Sequence, residues 1–281
     1  MIGIVSSIEG LAAGTLAWFV DIWGVMHNGV APFAGAVAAC RAFRASGGIV
    51  VLVSNAPRPA ACVIAALDRI GVPRDCYDAV QSSGDTARGL IAALGEGSVY
   101  HLGPERDLAL YEGLPVVRPA ADEAGTIVCT GLVDDDIETG ETYRPLLAAF
   151  AARQVPMICA NPDLTVERGG RIIPCAGAVA AVYEDLGGHV SYAGKPYLPI
   201  YDAAFAIVDR LAGKSVPHGA ILAIGDGVRT DIAGAARAGL RSVYIASGVH
   251  LGAGALDEAA LGRLFPDPAV QPVAAMTELV W

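Results

Sequence analysis

The chain predicts an α/β fold built on a mostly parallel sheet, and three observations predict it. Short apolar runs alternate with helix-like stretches along the chain, the pattern of strands joined by helical crossovers. Two of the runs, 16–20 and 221–225, stop abruptly at an aspartate, Asp21 and Asp226, with a glycine close behind. The composition also supplies a large core, since 54% of the 281 residues are hydrophobic and 17% are charged.

The elements follow in order. The run Leu-Ala-Trp-Phe-Val before Asp21 is a buried strand bounded by a turn residue. The spacing predicts a helix over 34–46, stopped by Gly47-Gly48. Ile-Val-Val-Leu-Val over 49–53 is the next strand and ends at Ser54-Asn55; a helix over 59–70 is closed by Gly71. Further buried strands are expected at 98–102, 126–130 and 156–160, with a helix over 144–153 between the last two. Helices are expected over 197–211 and 231–238, and the last core strand over 242–246. The Ala-Gly-rich stretch 252–260 reads as a surface loop and a short helix. No Pro/Ser-rich linker marks a boundary, so a second domain would be inserted rather than appended.

Composition narrows the function. A net charge of −10 argues against a broad nucleic-acid-binding surface. No run of about 18 uncharged apolar residues is present to span a membrane. Glu9 and the lack of a basic cluster near the N-terminus argue against a signal peptide. The six cysteines contain no Cys-x-x-Cys and read as buried, reduced thiols, which places the chain in the cytoplasm.

In open α/β sheets, ligands bind beyond the carboxyl ends of the strands. Strand-end residues therefore carry the chemistry. Asp21 is a carboxylate able to act as a nucleophile. Ser54 offers a hydroxyl, with Asn55 beside it. Lys195, in Ala-Gly-Lys-Pro, precedes a helix, and Asp226 and Asp231 close the set. Phosphoryl transfer to a carboxylate needs these parts: a nucleophile that forms an acyl-phosphate, a hydroxyl and an ammonium on the equatorial oxygens, and Mg²⁺ held by carboxylates. Taken alone, each has a plainer reading: a turn cap for Asp21, a turn for Ser54-Asn55, a surface lysine for Lys195, and a helix N-cap for Asp231.

Taken in order, these segments resemble the haloacid dehalogenase superfamily, and within it class IIA, the group of ribonucleotide, pyridoxal-phosphate, phosphoglycolate and para-nitrophenylphosphate phosphatases. Asp21-Ile-Trp-Gly-Val matches the first motif, Ser54-Asn55 the second, Lys195 the third, and Gly225-Asp-Gly-Val-Arg-Thr-Asp231 the fourth. Asn161-Pro162-Asp163 and the later Pro174-Cys-Ala-Gly-Ala resemble the segment such proteins carry between the second and third motifs. The resemblance implies a three-layer Rossmann-like core from 1–81 and 188–281, with an inserted α/β cap at 82–187. It implies Mg²⁺ held by Asp21, Asp226, Asp231 and the backbone carbonyl of Trp23. The catalytic set would be Asp21, Ser54 and Lys195. Asn55, Arg58, Asn161 and Asp163 would meet a small phosphorylated metabolite, with Arg58 a candidate for a second anionic group. Neither nucleic acid nor membrane is an expected partner, and a homodimer through the cap is an assembly the resemblance allows.

Trp23 departs from the pattern. The family's phosphatases place a second aspartate there, which protonates the leaving alkoxide and later activates water. An indole has one N–H donor and no useful titration. Loss of general acid–base help is worth about 10²- to 10⁴-fold. Ala56-Pro57 is a second departure, standing where polar residues are usual. The readings are therefore a Mg²⁺-dependent phosphatase-type hydrolase of weak or altered activity, a catalytically impaired protein that binds a phosphorylated metabolite or a partner, or a hydrolase for a bond whose leaving group needs no proton, as in dehalogenation. His27 is a candidate substitute acid–base group by its ordinary pKa. The run Asp134-Asp135-Asp136 reads as a solvated loop, or as a source of one carboxylate over a cleft.

Overall fold

The computed structural model describes residues 2–168, 170–246 and 256–281. Their strands, in chain order, are β1 (Gly3–Ile4), β2 (Ala17–Asp21), β3 (Ile49–Ser54), β4 (Ala79–Ser82), β5 (Val99–Leu102), β6 (Thr126–Cys129), β7 (Met157–Cys159), β8 (Thr165–Arg168), β9 (Arg171–Pro174), β10 (Val190–Tyr192), β11 (Ile221–Gly225), β12 (Arg241–Ile245) and β13 (Ala274–Met276). The chain divides into two compact units. One comprises Met1–Ser54, Ile64–Gln81 and Lys195–Trp281; the other comprises Asn55–Val63 and Ser82–Gly194.

The first unit holds a seven-stranded sheet in the order β1-β13-β12-β11-β2-β3-β4. The pairs β2–β3, β2–β11, β11–β12, β12–β13 and β1–β13 are all parallel. From β2 the chain moves outward through β3 to β4; from β11 it moves the other way through β12 to β13. The order therefore reverses between β2 and β11, and this is the switch point at which a doubly wound sheet opens a crevice. All of β2 is buried, because both faces of the sheet are covered. Ala17 and Phe19 pack with Ile200, Tyr201, Ala204 and Val208 of the helix Leu198–Ala212. Trp18, pointing the other way as strand alternation requires, stacks on Phe43 of the helix Ala34–Ala45 with ring centroids 4.0 Å apart.

The second unit repeats the parallel arrangement on a smaller scale, in the order β10-β7-β6-β5. Ile127, Cys129, Met157 and Cys159 pack against Leu147 and Phe150 of the helix Arg144–Ala152 and Val179, Ala180 and Tyr183 of the helix Ala176–Asp185. The alternate residues Val128 and Ile158 pack with Ala87 and Ile91 of the helix Ser83–Ala92. An antiparallel ribbon, β8–β9, stands apart from this sheet.

The expected elements recur with small shifts of their ends, and some were not foreseen. The unit runs on to Gly194, past the expected boundary at 187, because Val190–Tyr192 pairs residue for residue with Met157–Cys159. It also includes 55–63, where the Gly84 amide donates to the Ala56 carbonyl (3.0 Å) and the Ala60 amide to Asp85 Oδ2 (2.9 Å). The helix expected from Asp231 spans only Ala233–Arg237 and is preceded by a π-helical turn, Val228–Ile232. Of the stretch 252–260, residues 252–255 lie outside the described residues; a helix runs over Glu258–Leu264. The six cysteines are free thiols, five of them buried. No helix among the described residues is long and apolar enough to cross a membrane.

Candidate active site

Three strand ends converge at the switch point of the first unit. Asp21 is the last residue of β2 and is 9% exposed. Asp226 follows β11 directly, and Ser54 ends β3 one position beyond Val53, the register partner of Asp21. Lys195 supplies the ammonium. Its Nζ donates to Asp21 Oδ1 at 2.5 Å, to Asp231 Oδ1 at 2.7 Å and to the Val53 carbonyl at 3.0 Å. Three donors meet three acceptors, so a lysine only 3% exposed is fully satisfied.

The glycines of the two aspartate motifs let these carboxylates approach the backbone. Gly24 has φ +86°, and a Cβ there would lie 2.1 Å from Asp226 Oδ2. The chain just after Trp23 therefore runs against the Asp226 carboxylate. At Gly225 a Cβ would lie 2.2 Å from Asp231 Cγ, and at Gly227 it would lie 2.0 Å from Thr230 Oγ1. The turn folds Asp231 back over its own motif. There its Oδ2 accepts from the Gly227 amide (3.1 Å) and the Thr230 hydroxyl (3.4 Å). With Oδ1 on Lys195, both oxygens of Asp231 are engaged within the protein, so it orders the loop.

Charge decides what else the cluster accepts. One carboxylate oxygen each from Asp21, Asp226 and Asp231 lies within 4.8 Å of the others. With all groups ionised, one ammonium leaves two negative charges uncompensated in a nearly buried space. Burial raises the Asp21 carboxyl well above its usual range; Lys195 opposes this, and Asp231 and Asp226 add to it. Burial alone would lower Lys195, but Asp21 and Asp231 outweigh it and hold the ammonium above its ordinary value. A hard-oxygen, cation-deficient cluster of this kind fits a divalent ion such as Mg²⁺.

The remaining expected residues fall elsewhere. Asn55, Asn161 and Asp163 meet in the second unit: Asn55 Nδ2 donates to Asp163 Oδ1 (2.8 Å), and the Asp163 amide donates to Asn161 Oδ1 (3.0 Å). Arg58 is in the same unit and pairs with Asp107, with Nε 3.6 Å from Oδ1. Trp23 lies over Gly29, where a Cβ would be 2.6 Å from the indole, and stands edge-on to His27 with centroids 5.3 Å apart. His27 is 4% exposed; its Nδ1 accepts from the Gly29 amide at 2.9 Å, and burial lowers its pKa. It therefore serves the turn as a neutral ring with its proton on Nε2. Asp135 pairs with Arg106 and Arg168, and Asp136 with Arg168 and Arg171, so both are tied into the ribbon side of the second unit.

Sequence reasoning missed Asp107, Thr230 and the backbone acceptor of Val53. Only Thr230 left a signal, as the residue before Asp231 in the fourth motif. Asp107 is one acid in a polar turn, and a backbone carbonyl leaves no trace in a sequence.

Fold and site together define an α/β enzyme with an acidic, oxygen-lined centre at the switch point of a doubly wound sheet. The model of haloacid dehalogenase-like hydrolases matches residues 18–115, and an HAD-hydrolase-like model matches residues 192–267. A hydrolase of the haloacid dehalogenase-like family from Brucella suis 1330 is 45% identical, with 99% of this chain and 100% of that chain covered and a TM-score of 0.87. The chain belongs to the haloacid dehalogenase-like family of hydrolases. Two more distant structures share the fold. A glycerol phosphate phosphatase from Mycobacterium tuberculosis in complex with magnesium is 22% identical, covering 96% of this chain and 77% of that one, with a TM-score of 0.71. A p-nitrophenyl phosphatase from Archaeoglobus fulgidus is 20% identical, covering 94% and 96%, with a TM-score of 0.72. A search of curated proteins finds no match to the chain.

Proposed function

We propose that the protein is a phosphatase-type hydrolase of class IIA that acts on a small phosphorylated metabolite through an aspartyl-phosphate at Asp21. The observation that carries this reading is the Lys195 ammonium bridging Asp21 and Asp231 beside Asp226. Likeness to two phosphatases supports it at the level of fold.

Lys195 orients the Asp21 carboxylate through Oδ1 and opposes the upward push that burial gives its pKa. An Asp21 oxygen forms the new bond to phosphorus, and the ester P–O bond breaks with its electron pair on the leaving oxygen. The Ser54 hydroxyl donates to an equatorial oxygen, and the Lys195 ammonium, its three donors committed to Asp21, Asp231 and the Val53 carbonyl, offsets the phosphoryl charge from beside it. Water then attacks phosphorus, the Asp21 O–P bond breaks with its electron pair on the Asp21 carboxylate, and the proton of the water leaves on the released phosphate. Mg²⁺ would be held by Asp21, Asp226 and the Trp23 carbonyl with Asp231 behind them, and when bound it offsets the repulsion between a phosphate and these carboxylates. Asn55, Asn161 and Asp163 form a hydrogen-bonded set in the second unit, the inserted cap of this reading, and are its candidates for recognising the organic group of a ligand.

Trp23 shapes the outcome. Its indole cannot give the leaving oxygen a proton. His27 does not replace the missing acid, since its Nδ1 is committed to the Gly29 amide and burial keeps the ring neutral. The enzyme is therefore fastest on esters of acidic alcohols or on acyl phosphates. Trp23 also favours a second reading, a protein that binds a phosphorylated metabolite and turns it over slowly.

The test is phosphate release from para-nitrophenyl phosphate and a panel of metabolite phosphates, with Mg²⁺ and with chelator, beside Asp21→Asn. Mg²⁺-dependent release that Asp21→Asn abolishes is the expected result. Thermal stabilisation by metabolites without release selects the binding reading, and release that survives Asp21→Asn overturns the mechanism.

A further inference from the structure

Asp107 lies in the turn Glu105–Tyr111, just past the carboxyl end of β5, and is 3% exposed. Its Oδ1 has no hydrogen bond; Arg58 Nε, at 3.6 Å, is an ion-pair partner beyond hydrogen-bond length. Thr130 follows the neighbouring strand β6 and is likewise 3% exposed; its Oγ1 is near enough to act on the Asp107 carboxyl but makes no hydrogen bond of standard geometry. Gly103 is pressed onto that hydroxyl, since a Cβ there would lie 2.1 Å from it. Buried polar atoms left this way are uncommon and need a reason. The Arg58 side chain is 35% exposed, and among the described residues no protein group accepts a hydrogen bond from its two terminal nitrogens. Its backbone is fixed against the start of the helix Ser83–Ala92, where a Cβ on Gly84 would lie 2.3 Å from the Arg58 carbonyl. The second unit thus holds an arginine with a closely packed backbone, its outer fork open and a carboxylate behind it.

A lone arginine fork favours carboxylates and phosphates, which it meets bidentately and with full charge. Here the ion pair is net neutral. A second anion on the fork would gain attraction from Arg58 and incur repulsion from Asp107, whereas an uncharged oxygen acceptor incurs none. We infer that Arg58 and Asp107 form a ligand-reading pair that takes an uncharged, oxygen-bearing organic group, such as a polyol, and that Asp107 sets this choice by cancelling the charge of Arg58. This revises the sequence expectation that Arg58 meets a second anion, and it rests on the phosphatase reading only for the identity of the ester. Burial raises the Asp107 carboxyl; Arg58 is the main opposing influence, and the Thr130 hydroxyl, Arg106 and His101 act in the same direction as Arg58. The polyol would come either from the organic part of the substrate or from a separate small molecule.

The experiment compares the parent with Asp107→Asn, Arg58→Gln and the double variant. Each is checked for folding by circular dichroism and melting, and the Mg²⁺ enzyme is assayed on glycerol 3-phosphate and 2-phosphoglycolate. Removing one charge at constant shape should raise the ratio of kcat/KM for the carboxylate-bearing ester over the polyol ester by about tenfold, mainly through KM. The rise should vanish in the double variant. A folded Asp107→Asn protein whose preference is unchanged or lower with the esters and with free glycerol and glycolate alike overturns the proposal. If neither ester is hydrolysed, calorimetric binding of free glycerol and free glycolate decides it by the same comparison. The phosphatase reading then fails alone if selectivity still shifts, and the pairing fails if it does not. A shift seen with the free molecules but not with the esters assigns the site to a separate ligand.

Discussion

In the first unit, the carboxyl ends of β2 and β11 bring Asp21, Asp226 and Asp231 around one ammonium, that of Lys195. In the second unit, the carboxyl ends of β5, β6 and β7 carry Asp107 paired with Arg58, the Thr130 hydroxyl, and Asn161 with Asp163 bound to Asn55. Both sheets are parallel and both present polar groups at the same kind of edge. They differ in charge balance. The first edge has more anions than its cation can offset, which suits it to a divalent metal and a transferring phosphoryl group. In the second, Arg58 offsets Asp107, and Asp163 remains as one carboxylate among amides and a hydroxyl, so less charge is left unbalanced. One architecture thus carries two edges that differ in how much strand-end charge is left unbalanced, and on the proposed reading the less balanced one is reactive and the other reads the ligand.

The comparison breaks most sharply at Asp21. Asp21→Asn should lower phosphate release by about 10³-fold or more, because the nucleophile is lost. No change in release would remove the reactive edge from this account.

Trp23→Asp tests the same edge in the opposite direction. Turnover of alkyl phosphates should rise by up to about 10²- to 10⁴-fold and that of para-nitrophenyl phosphate much less, since only an alkoxide needs the proton. Trp23 is partly exposed, so its removal should cost less than the about 3 to 5 kcal/mol of a fully buried tryptophan. A folded variant that gains on neither substrate places the deficit elsewhere.

Removing the cation from each edge sharpens the contrast. Lys195→Met leaves Asp21 and Asp231 facing each other without a counter-charge and should destabilise the protein by about 3 to 5 kcal/mol in urea titrations, with Mg²⁺ restoring part of it. Arg58→Gln removes a partly exposed partner but leaves the buried Asp107 without its main counter-charge, and should cost less, about 1 to 3 kcal/mol in the same measurement. Equal losses would contradict the larger charge imbalance assigned to the first edge.

The smallest expected effect is on pH. Burial lowers the pKa of His27 in the first unit and of His101 in the second. Each unfolded ring binds protons more readily than the folded one. This stability is therefore complete above the unfolded value of about 6.5 and is lost as pH falls through it toward the folded value. Melting temperatures from pH 7.5 to 5.5 should fall less in His27→Gln or His101→Gln than in the parent. A steeper fall in either variant would reverse the sign.

Much of this was legible in the chain. The runs before Asp21 and Asp226 announce buried parallel strands, because a strand covered on both faces needs an unbroken apolar sequence. Their abrupt ends mark where chemistry sits. Asp231 and Lys195 could be named from motif order. The ribbon β8–β9 was not legible: its strands are short and exposed, and Asp135 and Asp136 tie to it through Arg168 and Arg171, side chains distant in sequence. The strand β10 is equally silent, since three residues after a pair of glycines carry no periodicity.

The sequence by itself determined the α/β class, the strand ends that bear the carboxylates, and the absence of an acid at Trp23, because each depends on residue type and local spacing alone. Tertiary structure decided which charges meet. Lys195 satisfies three acceptors drawn from three segments, Arg58 is neutralised by an aspartate 49 positions on, and His27 is spent on a turn. Electrostatic balance is a property of distances across the fold, and no local pattern encodes it.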